Sequence, residues 1–204
     1  MKKRVLSMLM ALALCLTLLP APVWAEETEN NIAAQANTAN VAEVTINGKT
    51  TQYTNIVDAF ADAQKAKSAA VKLLENVTIP KNTDGYSYGI QLTGGNITLD
   101  LNGHTIQTTE VASGFVLLNA VFYINDGSGL TVQDSTGGGK IVQPNAGQAI
   151  GVSNGNLTVK SGIIEVTSDS AGADNATTQN CAVFVRGSGV ADIQGGTLIG
   201  NRGI

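Results

Sequence analysis

The side chains through which this sequence could do chemistry are few: Asp100, Asp126, Asp134 and Asp192, the single His104, Cys181, and Phe184 with Arg186. Clustered carboxylates would hold calcium, whose oxygen ligands sit at about 2.3–2.6 Å. Two carboxylates about 5–9.5 Å apart would serve glycosidic bond cleavage. A histidine beside a cysteine would ligate a metal or act as a base. An aromatic ring next to a guanidinium would stack on a sugar and hydrogen-bond its hydroxyls. Which of these chemistries the chain supports depends on where it places the residues, and a repeated phrase sets that.

The phrase occurs four times: Asn96-Ile-Thr-Leu-Asp-Leu-Asn-Gly-His-Thr-Ile106, Gly129-Leu-Thr-Val-Gln-Asp134 leading to Gly139-Lys-Ile141, Asn156-Leu-Thr-Val-Lys-Ser-Gly-Ile-Ile164, and Val190-Ala-Asp-Ile-Gln-Gly-Gly-Thr-Leu198. Taking Leu101, Val132, Val159 and Ile193 as equivalent gives a period of about 27–34 residues, the range of stacked repeats. Each repeat reads as three short strands. The first strands are residues 89–93, 115–124, 149–153 and 181–186, each closed by a turn such as Gly94-Gly95-Asn96 or Asn154-Gly155-Asn156. The phrase is the second strand, and residues 105–109, 140–143, 163–167 and 197–199 are the third. Three strands per turn, stacked in register, predict an all-β parallel β-helix of about four rungs, spaced roughly 4.8 Å apart.

Alternation along each strand then sorts the residues by face. Leu99, Leu101, Val132, Val159 and Ile193 are expected inside, with Thr98, Asp100, Thr131, Gln133, Thr158, Lys160, Asp192 and Gln194 outside. The first rung's register is open by two residues, a slip that leaves the parity unchanged. On this reading about three rungs, or ~14 Å, separate Asp100 from Asp192, too far to share one ion. Asp126 and Asp134 flank a strand ~13 Å long and cannot meet directly. Asp134 opens the turn Asp134-Ser-Thr-Gly-Gly-Gly139 and reads as turn-forming. His104, in Asn-Gly-His-Thr at a strand junction, reads as a turn residue with a ring nitrogen bonded to backbone. Cys181 falls on the inward parity of its strand and reads as a buried thiol. Gly94-Gly95 and Gly137-Gly-Gly139 lack the Lys-Ser/Thr and the helix of a phosphate loop and read as tight corners.

Ahead of the repeats, residues 44–53 alternate around Asn47-Gly48, a dipeptide suited to a two-residue hairpin. Thr54 or Asn55 can cap a helix over 56–67 with Ile56, Phe60, Ala63 and the stem of Lys67 on one face and Asp58, Asp62 and Lys65 on the other. Residues 70–79 return to strand chemistry before Pro80. Hairpin, helix and strand, spanning 41–85, have the position and size of an N-terminal cap for the β-helix of 86–204.

From residue 53 to 204 the chain resembles the right-handed parallel β-helix, or pectate-lyase-like, superfamily, in particular its secreted bacterial surface proteins. The stretch Ile97-Thr-Leu-Asp-Leu-Asn-Gly-His-Thr-Ile106 carries the resemblance, and the helix from Ile56 and strand 70–79 resemble that superfamily's capping helix and first strand. The resemblance implies a right-handed coil, in keeping with the usual chirality of parallel crossovers. It implies no single activity, because the superfamily includes lyases, glycoside hydrolases, esterases and non-catalytic adhesins. A lyase of this kind would set acidic calcium ligands on an exposed strand face beside an Arg or Lys base, and the wide spacing of Asp100 and Asp192 argues against that site here.

The first 25 residues read as a secretory signal: Lys2, Lys3 and Arg4, then an apolar run to Leu19, then Val23-Trp-Ala25 before Glu26. Residues 26–40 read as a disordered linker. Removing the signal leaves nine basic against 16 acidic groups, a net charge near −7, which disfavours nucleic acid, and leaves Cys181 as the one cysteine, too few for an internal disulfide. Asn-x-Thr triplets at Asn76, Asn96, Asn156 and Asn175 fit turn ladders better than glycosylation sites under a bacterial-type signal.

Two surface features remain for binding. One is the polar loop 167–180 with Asp169, Asp174 and Asn175, since solenoid insertions project from one face. The other is Phe184 with Arg186 on the outer face of the fourth rung, taking Val183 and Val185 as inward. The expected protein is a non-catalytic extracellular β-helix module of a bacterial surface protein, contacting extracellular polysaccharide or a host glycan without metal or cofactor. The alternative is the N-terminal part of a polysaccharide lyase or glycoside hydrolase whose catalytic rungs lie beyond Ile204. Because Asn201-Arg-Gly-Ile204 follows a strand with no polar cap, a truncated C-terminus is also expected.

Overall fold

The computed structural model describes residues 39–80, 88–109, 119–168 and 180–200. The signal, nearly all of the linker, and Asp169, Asp174 and Asn175 lie outside the described residues.

The chain enters through strands β1 (Ala42–Ile46) and β2 (Lys49–Tyr53), an antiparallel hairpin in which Ile46 faces Lys49. Asn47 and Gly48 form its two-residue turn with φ of 51° and 78°, the doubly positive backbone that favours this dipeptide. Helix α1 (Ile56–Ala63) follows, capped by Asn55, whose side chain accepts from the Val57 amide at 2.8 Å. Ile56, Ala59, Phe60 and Ala63 form its buried face, and the Phe60 ring meets Phe122 at 5.3 Å between centroids. The helix ends four residues before Lys67, short of expectation. Lys65 and Ala66 instead donate to Asp62 and Ala63, three residues back, so the last turn tightens and releases the chain into the sheet.

The predicted strand 70–79 is two strands, β3 (Ser68–Leu73) and β4 (Val77–Ile79), with a corner at 74–76. They belong to different sheets, because a solenoid coil must change direction within one hydrophobic run. Four strand triplets then stack on this base. They are β5 (Tyr88–Leu92), β6 (Asn96–Asp100) and β7 (Thr105–Thr108); β8 (Ala120–Ile124), β9 (Gly129–Gln133) and β10 (Lys140–Gln143); β11 (Gln148–Ser153), β12 (Asn156–Val159) and β13 (Ile163–Val166); β14 (Cys181–Arg186), β15 (Val190–Ile193) and β16 (Thr197–Ile199). The first strands make a four-stranded parallel sheet, β14-β11-β8-β5, and the third strands a five-stranded one reaching down to β4. The second strands continue through β3 into the antiparallel hairpin, giving seven strands in the order β15-β12-β9-β6-β3-β1-β2. The protein is an all-β parallel solenoid with a hairpin and helix at its N-terminal end.

Register settles the position left open by two residues. Val71, Leu99, Val132, Val159 and Ile193 form one inward column and Ala69, Ile97, Leu130, Leu157 and Ala191 the next. Leu101 therefore lies two residues past the place assigned to it, with its parity retained. It is fully buried at the corner, and a Cβ on Gly139 or Gly162 would fall 2.5 Å from its Cβ or 2.7 Å from its Cδ1. Those two glycines leave the space that Leu101 occupies.

Strict alternation fails in the four-stranded sheet, where every residue of β8 and β11 is buried. Pairing passes from Gln148↔Cys181 directly to Ile150↔Val183, and adjacent residues Val121 and Phe122, Ala149 and Ile150, and Ala182 and Val183 all join the apolar core. Cys181 is buried, as expected. Beside this sheet the interior admits a polar cluster. The Gln143 carboxamide oxygen accepts from Thr108 Oγ1 at 2.9 Å and from the Asn145 main chain and side chain at 3.1 and 3.2 Å, while its Nε2 donates to Asn119 at 3.2 Å. A buried amide so bonded costs little, whereas one left without partners would cost about 1–3 kcal/mol.

Leu99 is wholly buried in the middle of its column, and Leu99→Ala should lower unfolding free energy by about 2–5 kcal/mol in urea titrations. Thr131→Ala, one residue out of phase on the outer face, should change it by no more than about 0.5 kcal/mol.

Candidate ligand-contact face

The outward carboxylates divide by geometry into turn clasps and solitary groups. Asp100 Oδ1 accepts from the amides of Asn102 at 2.9 Å and Ser135 at 3.0 Å, tying its own turn to the next rung. Asp134 spans the same corner, with Oδ1 accepting from Gly103 and Oδ2 from Gly139, both at 2.8 Å. The expectation of a turn-forming Asp134 is met, and Asp100 shares that work. Asp192 does not stand in the column of Asp100: it aligns with Thr158, Thr131 and Thr98, whereas Asp100 aligns with Gln133. The pair is thus offset along the strands as well as across the rungs. Asp126 is an exposed turn residue at φ 49°. Among the described residues, no group of three His, Cys, Asp or Glu side chains converges to hold a metal ion.

His104 occupies the same corner through its main chain, its N–H donating to Leu101 and its carbonyl accepting from Lys140. The expected bond from its ring to backbone is absent among the described residues. The tight turn brings the main-chain groups together, and that suffices to hold the residue.

The remaining constellation lies on the four-stranded sheet. Register aligns Tyr123 of β8, Gly151 of β11 and Phe184 of β14, and aligns Ser153 with Arg186. The Tyr123 ring lies over Gly151, where a Cβ would come within 2.9 Å of its Cδ2. From there the phenol reaches the fourth rung and its oxygen accepts from Arg186 Nη2, while the guanidinium carbon stands 5.6 Å from the ring centroid. Tyr123 is buried, Phe184 half-buried and Arg186 exposed. The ring is therefore a fixed support, and the guanidinium and Phe184 meet solvent. The carboxamide Nε2 of Gln148 is buried beside Gly151 without a hydrogen-bond partner among the described residues, 3.3 Å from where a Cβ would sit.

Of the five residues singled out from the sequence, Phe184 and Arg186 come together here, and the structure adds Tyr123, Gly151 and Gln148. Tyr123 was hidden because the stretch 115–124 reads as one long strand, while the strand of the solenoid begins at Ala120. Counting from that start would have put Tyr123 beneath Phe184. No family model, curated protein or solved structure matches this chain.

Two outcomes follow. Gly151→Ala forces a methyl against the Tyr123 ring and should cost about 1–3 kcal/mol of stability by denaturant titration. At Asp100, burial opposes ionisation, but the hydrogen bonds from Ser135, Asn102 and Gln133 outweigh it and hold the carboxyl below its ordinary value of 3.8. As pH falls, the unfolded chain takes up this proton first. The stabilisation is complete above pH 3.8 and drains away as pH drops through the lower folded value. Asp100→Asn should remove that part of the acid limb, so stability measured by circular dichroism falls less steeply below pH 3.8 than in the parent.

Proposed function

We propose that this chain is a non-catalytic, secreted β-helix module of a bacterial surface protein, of the pectate-lyase-like kind, that contacts an extracellular polysaccharide or host glycan. The arrangement of Tyr123, Gly151, Phe184 and Arg186 supports this reading. A sugar offers a C–H face and a rim of hydroxyls. An aromatic edge accepts the first, and a guanidinium with several donors bonds the second.

Preorganisation favours the site. Arg186 starts from a geometry held by the Tyr123 hydroxyl and ring, so less side-chain entropy is lost when a ligand arrives. The signal-like first 25 residues support export, and the resemblance of the phrase to β-helix surface proteins supports the setting. The polar stretch of sequence with Asp169, Asp174 and Asn175 lies between β13 and β14, the strand that carries Phe184 and Arg186, and is proposed as a second contributor.

A glycan and polysaccharide array probed with the purified chain should give saturable binding. For the best binder, Arg186→Ala and Phe184→Ala should each weaken affinity at least about tenfold, equivalent to ~1.4 kcal/mol, while Lys160→Ala, just past β12 of another sheet, leaves it unchanged. Equal loss at Lys160 would move the contact elsewhere. Turnover of any polysaccharide by the chain would overturn its non-catalytic character.

A further inference from the structure

Three Asn-Gly dipeptides occur in this sequence, at Asn47-Gly48, Asn102-Gly103 and Asn154-Gly155, and all lie among the described residues. The dipeptide is the one in which a main-chain amide most easily attacks the preceding carboxamide, because glycine puts no side chain in the way. All three asparagines hold positive φ, at 51°, 48° and 58°, so backbone conformation alone does not separate them. Their surroundings do.

At Asn102 both partners of the reaction are held. The carboxamide Nδ2 donates to the Leu73 carbonyl at 2.9 Å, and the Gly103 amide, the would-be nucleophile, donates to Asp134 Oδ1 at 2.8 Å. At Asn154 the carboxamide oxygen accepts from the Ser188 amide at 3.1 Å and its hydroxyl at 2.9 Å. Gly155 is packed so closely that a Cβ there would lie 2.6 Å from Ile124 Cγ2. Both sites are bonded to neighbouring rungs and cannot turn without breaking the stack.

Asn47 differs on each count. It is exposed, and its carboxamide makes no hydrogen bond among the described residues. Gly48 has no heavy atom within 4 Å of a Cβ position. The dipeptide closes the hairpin to β2, the outermost strand of the seven-stranded sheet, whose residues are almost all exposed. Edge strands open locally at far lower free energy than interior ones, so the attack geometry is reached without global unfolding.

We infer that Asn47-Gly48 is a site of spontaneous, non-enzymatic modification, with water as the only co-reactant. The Gly48 nitrogen, losing its proton, bonds to Asn47 Cγ while the Cγ–Nδ2 bond breaks, and the amide nitrogen leaves as ammonia. Water then opens the cyclic imide at either carbonyl, yielding aspartate or isoaspartate. No electrons are transferred. Isoaspartate routes the main chain through Cβ and adds one backbone atom to a two-residue turn. That turn has no room for it, so the register Ile46↔Lys49 through Ala42↔Tyr53 is lost and β2 leaves the sheet.

The test incubates the full chain at mildly alkaline pH, folded and in denaturant, and follows the three sites by acid-protease peptide mapping and mass spectrometry. In denaturant the three dipeptides should convert at similar rates. In the folded chain Asn47 should convert at least an order of magnitude faster than Asn102 and Asn154, with faster hydrogen exchange through β2 in the converted fraction. Asn47→Gly, which keeps a turn-compatible residue, should abolish both changes. Folded-state conversion of Asn102 or Asn154 at the pace of Asn47, or an Asn47 as slow as they are, would overturn the inference.

Discussion

Everything in this molecule depends on one rung lying in register on the next. No coil has a core of its own: three strands of three to six residues cannot bury their apolar face alone, and each does so only against the coils above and below. The columns from Val71 to Ile193 and from Ala69 to Ala191 are therefore both the hydrophobic core and the alignment device. A slip of one residue in any strand would turn its whole apolar set toward water. Exposure along the first column shows the same dependence. Val71, Leu99, Val132 and Val159 are fully buried, whereas Ile193, on the last described rung, is 37% exposed.

Corners impose the second demand, because three changes of direction per coil leave main-chain groups that neither a sheet nor the core can satisfy. Polar side chains meet it by reaching one rung away. Asn76 accepts from Thr105, Asn102 donates to Leu73, Asp134 clasps Gly103 and Gly139, and Asn154 receives Ser188. All of these except the Asp134–Gly139 bond, which closes its own turn, join residues about one repeat apart, so the corners reinforce the alignment that the aliphatic columns set. The same role occupies two of the outward carboxylates: Asp100 and Asp134 have oxygens that accept from backbone amides. The proposed contact face draws instead on the sheet where alternation breaks down. There a glycine column position, Gly151, lets a ring from one rung lie across the next and hold an arginine of the third.

Much of this architecture was legible in the sequence. The four phrases, the hairpin at Asn47-Gly48, a helix cap at Thr54 or Asn55 and the inward parity of Leu99, Val132, Val159 and Ile193 follow from local periodicity and turn chemistry, and the structure has them all, with Asn55 as the cap. Three of the departures share one cause. The end of α1, the break between β3 and β4 and the two-residue placement of Leu101 are positions where the coil turns a corner, and a corner is defined by contacts about thirty residues away. Of the candidate contact residues, Phe184 and Arg186 could be read from strand parity, whereas Tyr123 and Gly151 required knowing which rung lies on which.

By itself the sequence determined the fold class, the repeat and the face of most strand residues, because a two-residue period and the residue preferences of tight turns act over a few positions. Only the tertiary structure decided that Asp192 stands in the column of Thr98 rather than of Asp100, that Tyr123 supports Arg186, and that of three identical Asn-Gly dipeptides one is open. Those outcomes are set by register between strands distant in sequence, and register is a property of the stack that no single repeat contains.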